Sequence, residues 1–221
     1  MASAGLDFGS VLRVELARIE RLFAADELAF LALTSKIELP IRDRLAYALF
    51  RRVPELRVTR EWRRVDLAVL SPDGKSPPVL LLEAKALYTF DLVGEDAWVR
   101  RYPEMVQRDL EKLRLTKDLP SEAQLFSLIL ATHPTASINP GLQQVAKYSP
   151  GVSKAVAALG DADAVAHEAD RTLRSHLGHL GAIHHGEINA GEAYGVPLAI
   201  HYWLVGPVDH SSPARSEPVV E

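Results

Sequence analysis

Two short runs of this 221-residue chain concentrate the residue types best suited to chemistry. Arg64 to Leu70 is an apolar, β-like stretch carrying one acid, Asp66. Val79 to Lys85 is a second, and it ends in Glu83, Ala84 and Lys85. Between them, Ser71 to Pro78 has the Pro, Asp, Gly and Ser content of a loop, so the two runs read as a hairpin. Side chains alternate along a strand, and directly opposed residues share a face. If the loop closes symmetrically about Gly74 and Lys75, Asp66 falls opposite Glu83, Arg64 falls opposite Lys85, and Asp66, Glu83 and Lys85 converge. Two opposed carboxylates repel. In an apolar sheet a divalent cation, Mg²⁺ or Mn²⁺, would offset that repulsion, because such ions take carboxylate oxygens and keep water and phosphate as further ligands. An ion held there can polarise a phosphoryl oxygen and lower the pKa of a bound water. Lys85 beside it could orient that water, help deprotonate it or hold developing negative charge, and nearby cations would lower its own pKa. An isolated Glu-x-Lys at a strand end is more often a plain ion pair; the facing Asp66 is what favours the metal site.

The surrounding pattern supplies elements to position these groups. Val11, Leu12, Leu16, Ile19 and Phe23 recur at helical spacing over Phe8 to Phe23, and Asp26 to Leu33 continues after a break. A further helix capped by Ser35 carries Pro40 in its first turn, shows Ile41, Leu45, Ala48 and Leu49 on its apolar face, and ends at Pro54. Strands are expected over Leu56 to Arg60, Val65 to Leu70 and Val79 to Ala84. The last is apolar throughout, as a doubly buried strand would be. A helix follows from Pro103 to Lys117, then a buried strand from Gln124 to Ala131, a loop-rich stretch to Pro150, a helix from Asp161 to Leu177 and a strand from Val196 to Val205. That order predicts one α/β layered domain over 1–205 with a mixed sheet. Residues 206–221, polar and carrying Pro207, Pro213 and Pro218, read as a disordered tail.

Composition sets bounds. Apolar residues make up 48% and charged residues 24%, as in a soluble globular protein. No cysteine is present, which removes disulfides, thiolate metal sites and cysteine nucleophiles and fits a reducing, cytoplasmic setting. The N-terminal residues do not form a secretory signal, and no apolar run is long enough to span a bilayer, so no membrane partner is expected. Net charge is -4, yet Lys36 to Arg64 holds nine bases against four acids. Arg42, Arg60, Arg63 and Arg64 in this basic segment are candidate phosphate contacts; the competing reading is a solvated face.

Asp66 followed by a hairpin, an apolar strand and Glu83-Ala84-Lys85 resembles the PD-(D/E)XK nuclease superfamily, which has the restriction-endonuclease-like fold. The resemblance covers about residues 36–131 and rests on a short motif together with the helix, strand, hairpin, helix, strand order. Val65 stands where that family often has proline. The resemblance implies an α/β fold with a central mixed β-sheet flanked by helices and Mg²⁺ (or Mn²⁺) as cofactor. It also implies hydrolysis of nucleic acid, most readily DNA, with RNA or branched DNA as alternatives, and a possible homodimer that serves two strands. It places Asp66 and Glu83 as metal ligands and Lys85 beside the attacking water. It adds an acid from the preceding helix, Glu38 ahead of Asp43, and a polar residue from the following helix, Gln107 ahead of Lys112. The rival function is a catalytically inactive module of the same fold that binds a protein or nucleic acid.

Other signals are weaker. Gly74-Lys75-Ser76 lacks the earlier glycine of a P-loop, since Val69 stands there, and it lies in a hairpin. His176, His179, His184 and His185 cluster among glycines that suggest a helix end and a loop, so surface polarity outweighs a metal site. No Gly-x-Ser-x-Gly elbow is present. Trp62, Trp98 and Trp203 are dispersed and read as packing residues.

Overall fold

The computed structural model describes residues 6–73, 76–94, 97–136, 138–142, 144–146, 153 and 162–208. Gly74, Lys75, the side chain of Trp98 and most of the expected tail, 209–221, lie outside them. Helices α1 (Phe8–Leu16), α2 (Glu27–Thr34) and α3 (Glu38–Arg52) come first. Strands β1 (Arg57–Trp62), β2 (Val65–Leu70) and β3 (Pro78–Tyr88) follow. The chain continues through α4 (Ala97–Arg114), β4 (Gln124–Pro134), α5 (Ala162–Leu177), β5 (Ile183–Ala193) and β6 (Val196–Val205). No helix among the described residues is long and apolar enough to cross a membrane.

The strands form one sheet in the order β1-β2-β3-β4-β6-β5. β3 and β4 run parallel and every other neighbour pair runs antiparallel, so the fold is α/β with a mixed sheet flanked by helices. Period-two alternation divides the core. Leu67, Val69, Leu80, Leu82, Leu128, Leu130 and Ile200 pack toward α1, α2 and α3. Ala68, Leu81, Leu87, Ile129, Ala131 and Trp203 pack toward α4 and α5. β3 and β4 are buried on both faces, which explains their near-continuous apolar sequence.

Several boundaries differ from expectation. The first helix stops at Leu16 and passes into a 3₁₀ turn at Ile19–Leu22, which keeps Ile19 in the core. α3 starts at Glu38 with no side-chain cap from Ser35, whose hydroxyl instead donates back to the Leu31 carbonyl. α4 begins at Ala97, with Pro103 inside the helix. The greatest difference is β5, read from sequence as helix end and loop. Its histidines and glycines mask a strand: a Cβ at Gly186 would collide with the Tyr202 ring, so only glycine lets β5 and β6 approach there. The expected tail begins too early, because Val208 is buried and its N–H donates to the Leu125 carbonyl at 3.0 Å.

Candidate active site

The site forms where β2 parts from β3. Their ladder pairs Val69 with Leu80, Ala68 with Leu81 and Leu67 with Leu82, despite a register shift nearer the loop at Leu70 and Pro78. Continued by one residue, this register sets Asp66 opposite Glu83. Beyond Leu82 the β3 edge has no strand partner on that side among the described residues, while its other side stays paired with β4 as far as Tyr88 and Thr132. Carboxylates replace the missing strand. The Ala84 N–H donates to Asp66 Oδ2 at 2.8 Å, and the Ala86 N–H donates to Glu38 Oε2 at 3.0 Å. Glu38 therefore projects from the first residue of α3 into the site, whereas Asp43 turns away to bond Arg42 and Arg60.

Glu83 and Lys85 share the face of β3 that looks toward α4. Glu83 is 5% exposed, and its carboxyl is within hydrogen-bonding reach of Asp66. Burial pushes the Glu83 pKa up to about 7; the Asp66 carboxyl adds to the rise, and Lys112, whose Nζ lies 2.6 Å from Glu83 Oε1, works against it. Lys85 Nζ lies 2.8 Å from Asp109 Oδ2, so an ion pair to α4 holds the ammonium. Burial works to lower the Lys85 pKa, but Asp109, then Glu38 and Glu83, outweigh it and raise it. The expected lowering belongs to a lysine beside a cation; among the chain's own groups, the surrounding acids raise it. A protonated Lys85 can donate hydrogen bonds and hold negative charge.

Glu38, Asp66, Glu83 and Lys85 accordingly converge on residues 83–86 of β3. Arg64 does not fall opposite Lys85. It sits with Arg63 in the β1–β2 turn, where both have positive φ (49° and 70°), and its carbonyl accepts from Lys112 Nζ at 2.9 Å. Gln107 is also elsewhere, with Nε2 donating to the His176 carbonyl at 3.1 Å. Helical geometry explains this: α4 turns Asp109 and Lys112, three residues apart, toward β3, and Gln107 therefore faces α5. Asp109 was missed by sequence reasoning, and its spacing from Lys112 was the available signal. In a helix that also contains Arg108, Glu111 and Arg114, that spacing does not single out one face.

Arg42 is not free for phosphate. It is 7% exposed, bonds Asp43 at 2.9 Å and Glu61, and lies 3.7 Å from Asp66 Oδ1. Burial opposes its charge, but Asp43 and Glu61 raise its pKa, so it stays a cation that orients Asp66. Arg60, Arg63 and Arg64 are exposed on β1 and its turn, with Arg63 stacked 4.6 Å over the Trp62 ring.

The donor set suits a hard divalent cation. The buried Glu83 carboxyl and the Asp66 carboxyl that faces it gain from a cation between them, and Glu38 adds a third acid nearby. The fit is to a two-carboxylate site completed by water, since no three His, Asp or Glu side chains among the described residues are grouped closely enough to enclose an ion. The histidines form a separate cluster, and not the one expected. His133 and His201 are buried on β4 and β6. His185 Nε2 lies 3.1 Å from His201 Nδ1, His133 Nδ1 lies 2.8 Å from Thr89 Oγ1, and Asp170 accepts from Trp203 Nε1 at 2.9 Å. His176 instead bonds the Thr172 carbonyl. Comparison with protein-family models, curated proteins and solved structures returns no match, so the geometry of these side chains carries the functional reading.

Proposed function

We propose that this chain is a divalent-metal-dependent nuclease that hydrolyses phosphodiester bonds of nucleic acid, most readily DNA, on a domain of the PD-(D/E)XK type. The observation that carries the reading is the approach of the Asp66 and Glu83 carboxyls beside Lys85, at a strand edge whose N–H groups position Asp66 and Glu38. Asp66 and Glu83, with Glu38 nearby, would hold Mg²⁺ or Mn²⁺. When bound, such an ion supplies Lewis acidity at a phosphoryl oxygen and a water of lowered pKa. Lys85, kept protonated and fixed by Asp109, donates to the attacking water or to a non-bridging oxygen that gains charge. Water attacks phosphorus in line and releases a proton to solvent, the bond to the 3′ oxygen breaks, and the products are a 5′ phosphate and a 3′ hydroxyl whose proton comes from solvent water. Arg42 fixes Asp66 from behind. Arg60, Arg63 and Arg64 meet the flanking phosphates, and a homodimer would bring two such sites to two strands.

A second reading is an inactive, nucleic-acid- or protein-binding module of the same fold. It is favoured by Lys112, whose ammonium at 2.6 Å from Glu83 neutralises the site from within the chain. Plasmid cleavage in Mg²⁺ and Mn²⁺ separates the two. The nuclease reading expects cleavage by wild type and its loss in Glu83→Ala and Lys85→Ala. Wild type inert on DNA and RNA alike leaves the binding module.

A further inference from the structure

Asp66 is flanked on β1 by a second acid. The β1–β2 ladder pairs Arg60 with Leu67 and resumes with Trp62 and Val65, so its register sets Glu61 against Asp66. Glu61 has φ 55°, a left-handed backbone that strains a residue carrying a Cβ. The hairpin changes face at this row. Side chains two or four residues apart on a strand share a face. Here Val58, Leu67 and Val69 pack toward α1, α2 and α3, whereas Trp62 and Val65 pack toward α4 and α5. The tip of the hairpin is thus rolled over at Glu61 and Asp66. The β2–β3 ladder, which holds Leu67 against Leu82, ends at the same row among the described residues. That roll leaves the Ala84 N–H to Asp66 Oδ2.

The Glu61 carboxylate meets Arg42. Nε and Nη2 of that guanidinium bond Asp43 at 3.0 and 2.9 Å, and Nη1 bonds Glu61. The same Nη1 lies 3.7 Å from Asp66 Oδ1, too far for a hydrogen bond. Two carboxylates thus compete for one nitrogen, and Glu61 holds it. The ion pair by itself does not account for the backbone strain, because the Glu61 side chain is 63% exposed and exposed pairs stabilise little. We propose that Glu61 is a positioning residue for the site: by holding Arg42 Nη1 it keeps the guanidinium from closing on Asp66, which stays free to accept from Ala84 and to face Glu83. The consequence for metal binding and cleavage rests on the nuclease reading; the hold on Asp66 does not. Without the Glu61 carboxylate, Nη1 closes on Asp66 Oδ1 in a charge-assisted hydrogen bond. That bond draws Asp66 from the Ala84 N–H and sets a guanidinium in competition with any divalent cation.

Hydrogen exchange of the Ala84 amide, followed by NMR on the full chain in EDTA, tests this. Glu61→Gln removes the charge, and Glu61→Gly removes it while accepting a left-handed backbone without strain. In both variants Ala84 should exchange about tenfold faster, while Ile129 and Leu130 within β4 keep their wild-type rates. Asp43→Asn leaves Nη1 in the hold of Glu61 and should not speed Ala84. Mn²⁺ affinity, read by isothermal titration calorimetry, should fall about fivefold in the two Glu61 variants and stay at the wild-type value in Asp43→Asn. The mere loss of one nearby acid does not give that pattern. Unchanged Ala84 exchange in both Glu61 variants overturns the inference, even if wild type cleaves DNA. Equal acceleration across β3 and β4 overturns it too, since that marks a general loss of stability. Faster exchange confined to Ala84, in a chain whose wild type binds no Mn²⁺ and cleaves nothing, keeps the positioning role and removes the nuclease reading.

Discussion

Asp66 accepts a hydrogen bond from the Ala84 N–H at 2.8 Å, at the point where β2 leaves β3. One carboxylate thus closes a sheet edge and faces Glu83. Asp66→Ala should leave that N–H without its partner and cost about 1–3 kcal/mol of stability. Asp66→Asn keeps an acceptor oxygen and should cost less than half as much. Both should abolish metal-dependent cleavage. Urea denaturation beside plasmid nicking checks the pair, and equal stability of the two variants would remove the structural role.

Glu83 titrates near 7, so between about pH 4.5 and 7 the folded chain holds a proton that the unfolded chain releases. Its contribution to stability therefore falls as pH rises through that window. Glu83→Gln should stabilise the metal-free fold at pH 8 by on the order of 1–2 kcal/mol, the relief of buried charge less the lost Lys112 contact. The gain should vanish near pH 5, where wild-type Glu83 is already neutral. Thermal melts in EDTA at the two pH values measure the difference, and a variant less stable at both would contradict it.

Lys112 competes with any cation for Glu83. Removing a unit charge at about 4 Å in a wet site is worth ~1 kcal/mol or more, so Lys112→Met should tighten Mn²⁺ binding about fivefold. Isothermal titration calorimetry reads this without reference to activity. Unchanged or weaker Mn²⁺ affinity would mean that the ion does not approach Glu83.

The hairpin was legible because alternation and an apolar strand fix which residues share a face; Asp66 and Glu83 follow from that even with the shift at Leu70 and Pro78. Glu38 came from the resemblance, which implies an acid on the preceding helix, and its side chain does reach the Ala86 N–H. Gln107 was expected ahead of Lys112, yet Lys112 reaches Glu83 and Gln107 faces α5, because the rotation of this charged helix about its own axis is set by packing against β3 and α5. β5 was hidden because Gly186 serves close approach to Tyr202, Gly191 takes a positive φ, and His185 packs on His201 and Trp203 while His184 is exposed, so none of them gives the β-branched signal of a strand.

The layer in which His185 packs on His201 and Trp203 should control acid stability. Burial, helped by His133, His185 and His167 and opposed by Asp170 from α5, lowers the His201 pKa to about 4. Between pH 6.5 and 4 the unfolded chain takes a proton that folded His201 refuses. Stability is therefore complete above about pH 6.5 and lost as pH falls, by on the order of 3 kcal/mol. His201→Gln should be less stable than wild type at pH 8, with the gap narrowing toward pH 4. Comparing the two cancels the opposite slope from Glu83, which both share. A gap constant from pH 8 to pH 4.5 in urea denaturation would show that His201 is not held neutral.

Arg63 and Arg64 hold left-handed backbone in a two-residue turn between paired Trp62 and Val65. Asn-Gly suits such a turn far better, and each non-glycine residue there costs ~1 kcal/mol or more. Stacking of Arg63 on Trp62 returns only about 0.5–1 kcal/mol. The double change Arg63→Asn with Arg64→Gly should therefore stabilise the fold by ~1 kcal/mol. It should also weaken nucleic-acid binding and reduce its salt slope by up to about 2, because two phosphate contacts are removed. A turn kept at a cost in stability is expected where its side chains serve a ligand. If the variant binds DNA as tightly as wild type, with the same salt slope, these arginines make no phosphate contact.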